Sequence, residues 1–311
     1  MKPQPEPDRQ CANAVLMIRP VCFGANPETA ASNLFQQGGA GPDTPLLARR
    51  EFDGLVLQLS NAGVAVHVAD DSPEPPKPDA CFPNNWVSFH ADGSVVLYPL
   101  LAPSRRAERR EELIAQLRDA GFSVARTVDL THWEERGEYL EGTGSLVLDR
   151  SHRIAYACWS PRTNAGPLKE FAARLGYRTV TFDAIGPGGQ PAYHTNVLMG
   201  IGERFAVLCP DAIPNQQERA TVQRELEQAG HEVIQINSAQ MNSFAGNLLA
   251  LSAASGEPLI TLSTTAWDSL EPSQRRALEA HGTIITAAIP TIERYGGGSV
   301  RCMIAEVFLP R

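Results

Sequence analysis

Several signatures are missing from this chain of 311 residues, and each absence closes off a class of function. None of its six cysteines (Cys11, Cys22, Cys81, Cys158, Cys209, Cys302) lies in a CxxC pair or at Cys/His ligand spacing, which argues against a disulfide framework and a zinc site. They read as free thiols, so a single reactive one is compatible with the pattern. No apolar run reaches membrane-spanning length, and the polar, proline-rich residues 1–10 lack the apolar core of a signal peptide. A soluble, cytoplasmic protein is the expectation. No long basic run exists and the net charge is −8, which argues against nucleic acid or an anionic membrane surface as partner. The densest basic cluster, Arg105, Arg106, Arg109 and Arg110, alternates with glutamates at helical spacing and reads as a solvated helix start. A complete GxGxxG loop is also absent: Gly200-Ile-Gly-Glu is a turn by its composition.

What is present is a repeat. Helical periodicity over residues 46–61, 104–120, 167–175, 216–229 and 272–281 ends each time at a glycine (Gly63, Gly121, Gly176, Gly230, Gly282), followed by a strand-like run. These glycines are 58, 55, 54 and 52 residues apart. A second landmark keeps the same period. A small polar residue opens an apolar strand at Asn85, Ser145, Asn196, Asn247 and Ser299, with separations of 60, 51, 51 and 52. Asn13-Ala-Val-Leu-Met17 reads as a sixth copy supplying the strand that completes a circle. Further apolar runs at 95–98, 153–159, 205–209 and 259–262 make each unit β-β-α-β.

One such unit cannot cover both faces of its own sheet, so neighbours must share a core, and five units close naturally into a ring. The expected fold is a five-bladed, pseudo-fivefold α/β-propeller, with a flexible segment over 1–11 and a single domain over 12–311. The proline- and glycine-rich stretches 72–78 and 186–191 fall at repeat junctions and read as loops within that domain.

In such a ring the first-strand tips converge on the axis. They carry Leu140-Glu141-Gly-Thr-Gly-Ser145, Tyr193-His194-Thr-Asn196, Asp79-Ala-Cys-Phe82-Pro-Asn84-Asn85, and Tyr295-Gly-Gly-Gly-Ser-Val-Arg-Cys302. A thiol, an imidazole and a carboxylate are the parts of an activated nucleophile with its acid–base partner, so Cys302, His194 and Glu141 are the candidate catalytic set. The competing reading of Cys302 is a buried core cysteine. His67, His132, His152, His231 and His281 lie at loop or helix edges, and His90 reads as a surface residue.

These residues bear a resemblance. The fivefold β-β-α-β repeat, the C-terminal cysteine after glycines and the Glu-Gly-x-Gly segment are similar to the guanidine-modifying enzymes of the pentein, or α/β-propeller, fold. Within them the chain most resembles the dimethylarginine dimethylaminohydrolase and citrulline hydrolase branch, often labelled amidinotransferase-like. Asp79-x-x-Phe82-x-x-Asn85, Ala102-Pro-Ser-Arg105-Arg106 and Arg162-Thr-Asn164 match family segments, and the resemblance covers nearly the whole chain. It implies that Cys302 attacks the central carbon of a guanidinium or ureido group, and that His194 protonates the departing amine and then activates water. Glu141 orients the histidine or contacts substrate, Arg105 and Arg162 hold the substrate's α-carboxylate, and Asp79 lies near its amino end. Phe82, Asn84, Asn85 and Asn196 complete the implied substrate-binding set. Arg106, Arg109 and Arg110 stay surface charges. No metal or organic cofactor is implied.

The departures from the family pattern bear on substrate. Asn85 replaces a carboxylate found in enzymes acting on arginine-like substrates, His194-Thr-Asn196 replaces the His-x-Asp of arginine deiminases, and Ser145 replaces the aspartate of Glu-Gly-Gly-Asp. A guanidinium carries donors only and calls for anionic acceptors, whereas a neutral ureido group offers a carbonyl that an asparagine amide can match. The expectation is therefore a cysteine hydrolase that takes citrulline to ornithine, carbon dioxide and ammonia, with backbone around residues 296–299 as a candidate oxyanion donor. The rivals are an arginine or dimethylarginine hydrolase or deiminase and an amidinotransferase. From another class, the same ring also serves as a non-catalytic ribosome-binding protein. A small amino acid is the expected partner, and a homo-oligomer is compatible with the sequence.

Overall fold

The computed structural model describes residues 8–311. Among the described residues, fifteen strands form five three-stranded sheets, each with one antiparallel and one parallel pairing. The first sheet joins β1 (Ala14–Arg19) and β2 (Ala65–Asp70) to β15 (Ala305–Glu306). The second is β3 (Val87–Phe89), β4 (Ser94–Leu97) and β5 (Arg126–Asp129). The third is β6 (Val147–Asp149), β7 (Ile154–Trp159) and β8 (Arg178–Asp183). The fourth is β9 (Met199–Ile201), β10 (Phe205–Leu208) and β11 (Glu232–Gln235). The fifth is β12 (Leu249–Ser252), β13 (Pro258–Ser263) and β14 (Thr283–Ala287).

Each blade pairs its first strand antiparallel to the second, and its second parallel to the third across an intervening helix, as right-handed crossover units require. The first strands touch in succession around the ring, β15 to β3, β6 to β9 and β9 to β12. This is the expected β-β-α-β ring, with one correction. The run 13–17 is not a sixth first strand but the central strand of its blade, and β15 supplies the first strand, pairing Val15 with Glu306 and Leu16 with Ala305. Strands far apart in the sequence thus meet inside one sheet.

The helices form where apolar residues recur at three- and four-residue steps. Thr44–Asn61 buries Ala48, Phe52, Leu55 and Leu59, and burying each of the larger side chains stabilises by roughly 1.5–3 kcal/mol. Gly63, Gly121, Gly176 and Gly230 take positive φ after their helices. Gly282 is required for a different reason: a Cβ there would lie 2.7 Å from the Pro258 carbonyl oxygen. The helix expected over 104–120 breaks into a 3₁₀ segment, Pro103–Glu108, and an α-helix, Glu111–Asp119, because Arg109 and Arg110 are extended. That break turns Arg105 inward.

Three smaller expectations change. The landmark residues Asn85, Ser145 and Asn196 sit in short helical turns just ahead of their strands rather than opening them. His90 is 3% exposed, bonded to Ser88 Oγ at 2.8 Å and packed against Phe171 and Tyr177, so it belongs to the interior. Arg109 and Arg110 are mostly covered: Arg109 pairs with Glu134 and donates to the Tyr98 carbonyl. Of the segment 1–11, residues 1–7 lie outside the described residues, whereas Gln10 is buried and bonds Leu148 and Arg150 of the third blade.

Candidate active site

The tips of the first strands converge, and the turns that precede them pack on one another: 142–145 on 83–85 and on 195–197, and 83–85 on 300–303. Two glycines permit this. Gly142 has φ +48 and its missing Cβ leaves room for the Asn84 carbonyl. A Cβ on Gly144 would lie 2.6 Å from both His194 Nδ1 and Asn85 Nδ2. Ser145, fully buried, ties its turn together by donating to the Arg162 carbonyl (2.8 Å) and accepting from the Glu141 N–H (2.9 Å).

A narrow cavity opens between these turns. Of the residues singled out in the sequence, Asp79, Phe82, Asn85, Arg105, Arg162, His194 and Cys302 line it, together with the glycines 296–298. Glu141 stands behind the wall, with Oε2 2.9 Å from His194 Nε2. Asn196 lies beside the thiol, its Nδ2 3.5 Å from Cys302 Sγ. Asn84 does not line the cavity, and both its side-chain amide atoms are buried without a protein partner.

Electrostatically, the site contains three buried carboxylates and two buried guanidinium groups. Arg105 grips Glu108 with two bonds of 2.9 Å, donates to Asn85 Oδ1 at 2.8 Å, and lies 3.7 Å from Asp79 and 3.8 Å from Glu141. Arg162 meets Glu141 at 3.2 Å, the Ser32 hydroxyl and the Thr29 carbonyl. Burial alone would raise Glu141, yet Arg162, the His194 hydrogen bond and Arg105 hold its carboxyl well below the usual range. Burial pushes Glu108 up to about 7 against the pull of Arg105. Burial likewise lowers His194 to about 4, partly opposed by Glu141, so the resting imidazole is neutral. With Nε2 committed to Glu141, Nδ1 is the nitrogen left for a reactant.

The thiols differ in setting. Burial pushes Cys11 and Cys158 up to about 12 and raises Cys81 and Cys209 as well. Cys302 instead faces the cavity with two amide groups on its sulfur, Asn247 Nδ2 at 3.3 Å and Asn196 Nδ2 at 3.5 Å, and its own S–H reaches Asn247 Oδ1 at 3.6 Å.

Several residues of the site were not singled out in the sequence. Asn247 was marked only as a landmark, although that position alone placed it on the axis. Tyr193 donates to the Gly297 carbonyl (2.6 Å), and Asn33 donates to the same carbonyl and to that of Gly296. Asn26 donates to Asp79 Oδ2 at 2.8 Å, and Thr29 and Asn33 line the cavity. This N-terminal segment has no counterpart in the other repeats, so periodicity could not reveal it. Glu108 was hidden by the helix-start reading of its neighbours.

Comparison with known proteins agrees with this architecture. The model of a family described as N,N dimethylarginine dimethylhydrolase, eukaryotic, matches residues 19–309. ArgZ, an arginine dihydrolase from the ornithine-ammonia cycle in Cyanobacteria, superposes in its apo structure with a TM-score of 0.74 at 17% identity, covering 96% of this chain and 41% of ArgZ. Its N-terminal domain with substrate bound gives 0.73 at 16%, over 95% of this chain and 99% of that domain. A dimethylarginine dimethylaminohydrolase variant carrying an S-methyl-L-thiocitrulline adduct gives 0.64 at 12%, over 94% and 99%. At such identities the likeness shows the shared pentein fold, and this chain spans well under half of ArgZ's length. No curated sequence matches.

Proposed function

Since the chain belongs to the N,N dimethylarginine dimethylhydrolase family, whose members hydrolyse guanidino-type C–N bonds, we propose that it hydrolyses the ureido C–N bond of citrulline through Cys302. The observation that carries this reading is the state of the acceptors around the thiol. Both Glu108 oxygens are held by Arg105, and Glu141 accepts from His194, Arg162 and the Leu101 N–H. Asn85 Oδ1 is held by Arg105 as well, which leaves Asn85 Nδ2 buried with no protein partner. Beside one unpaired acceptor, Asn196 Oδ1, the reacting end therefore offers N–H donors from Asn85, Asn196 and Asn247. A ureido carbonyl can accept these, and a guanidinium cannot.

In this reading Cys302 Sγ adds to the ureido carbon while the carbonyl oxygen gathers charge against the asparagine donors. Loss of one such donor costs about 2.7–4 kcal/mol in comparable sites. His194 Nδ1 takes the thiol proton and gives it to the leaving δ-amine, so ornithine departs and an S-carbamoyl cysteine remains. Water, deprotonated by the same nitrogen, attacks the carbamoyl carbon, and the C–S bond breaks. The released carbamate gives ammonia and carbon dioxide, so one water is consumed per turnover. Glu141 keeps the imidazole oriented and steadies its protonated form. Arg105 and Arg162 remain the groups suited to the α-carboxylate, and Asp79 to the α-ammonium.

A second reading has its own support. Three carboxylates face two guanidinium groups, and Asp79 lines the cavity, so a guanidino substrate would find net negative charge when Glu108 is ionised. Product analysis over citrulline, arginine and methylarginines separates the two. Ornithine and ammonia from citrulline are expected, with Asn85→Asp losing that activity by ~10²–10³-fold and gaining weak arginine turnover. Inertness toward citrulline together with ready conversion of arginine to citrulline overturns the ureido assignment.

A further inference from the structure

Asp149 ends β6, at the far end of that strand from the Ser145 turn. It is fully buried. The tight turn that follows carries Arg153 at φ +53 and folds His152 back over it, so that His152 Nδ1 lies 2.9 Å from both carboxylate oxygens. From the next blade, His231 approaches between its helix and β11 and places Nε2 2.8 Å from Asp149 Oδ2. The three ligand atoms all lie within 4.8 Å of one another.

Among the described residues, the ion pairs of Asp149 are made with these two histidines alone. No arginine or lysine reaches it, in contrast to Glu141 with its two guanidinium neighbours. A fully buried carboxylate whose ion-pair partners are two imidazoles has no guanidinium or ammonium group beside it. We propose that Asp149, His152 and His231 form a binding site for one divalent transition-metal ion, joining the third blade to the fourth.

The ligand set selects the class of ion. Two imidazole nitrogens and one carboxylate suit zinc, cobalt or nickel, whereas magnesium and calcium call for oxygen ligands throughout. Tetrahedral ligation at ~2.0–2.1 Å sets ligand atoms about 3.4 Å apart, so the two short contacts open by roughly half an ångström when the ion enters. The His152 side chain is 44% exposed, which provides both the entry path and a solvent-facing fourth position for water.

Cobalt(II) titration of the whole protein tests this, because its spectrum reports the ligands. One equivalent should give tetrahedral visible bands without thiolate charge transfer, and should raise Tm. His152→Ala, a half-exposed change that the fold tolerates, should weaken affinity at least ~10–100-fold and abolish the Tm shift. Absence of the bands at one equivalent, bands accompanied by thiolate charge transfer, or equal affinity in His152→Ala each overturns the site.

Discussion

The molecule contains two buried carboxylate–imidazole pairs of nearly the same length, Glu141–His194 at 2.9 Å and Asp149–His231 at 2.8 Å. They differ in their second neighbours. Glu141 also faces Arg162 and Arg105, permanent cations, whereas Asp149 faces a second, titratable histidine. The arginines hold Glu141 ionised alongside the His194 hydrogen bond, so the imidazole need not carry a charge of its own and can exchange its proton with a reactant. At Asp149 the imidazoles are the only ion-pair partners among the described residues, and the pair is suited to holding something rather than to proton transfer. The same two side chains thus acquire different uses from what stands one step further out.

The largest effect should come from deleting each imidazole. His194→Ala is expected to lower kcat for ornithine release by ~10²–10⁴-fold, the usual range for a lost acid–base group, while His231→Ala leaves kcat within about twofold. A comparable loss of kcat in both variants breaks the contrast. Next come the carboxylates. Glu141→Gln leaves two buried arginines short of charge and should destabilise by about 3–5 kcal/mol in urea unfolding, because the orphaned ion is what costs. Asp149→Asn, which strands no arginine, should cost less, about 1–3 kcal/mol.

Gly144→Ala sharpens the contrast by shifting only one imidazole. Its methyl would lie 2.6 Å from His194 Nδ1, so kcat should fall ~10-fold or more, with the binding of cobalt at the distant cluster unchanged. The smallest effect is on pH dependence. His194, lowered to about 4 by burial, stays neutral down to that pH, so the acid limb of kcat/KM belongs near pH 4 rather than near the ordinary 6.5. The stability carried by this group is complete above 6.5, where the unfolded chain is also neutral. It is lost as pH falls from there toward 4, because the unfolded chain takes up its proton first. An acid limb near 6.5 would indicate an imidazole in ordinary, solvated surroundings.

The ring was legible because its marks recur: Gly63, Gly121, Gly176, Gly230 and Gly282 stop helices at a steady spacing, and a periodic signal is reinforced by each copy. The same periodicity brought Cys302, His194 and Asn85 to one axis. It failed where a residue has no counterpart. Asn26, Thr29 and Asn33 come from a connection present once, and their contacts with Asp79, Arg162 and the glycine loop arise only after folding. Arg105 matched a family segment, but its charge-rich surroundings concealed that the helix breaks at Arg109 and Arg110 and buries it with Glu108. His90 was misjudged because its cover, Phe171 and Tyr177, belongs to the following blade, and one blade's sequence says little about its neighbour's roof.

The pairing of β15 with β1 carries a temporal consequence. Cys302 stands three residues before the strand that closes the ring, so a ribosome delivers the nucleophile only after the other four blades have been made. The N-terminal strand meanwhile waits, with one edge unpaired, through the synthesis of almost 300 residues. Chemical competence and topological closure therefore arrive together, and a chain released early would carry His194 and Glu141 but not the Cys302 thiol.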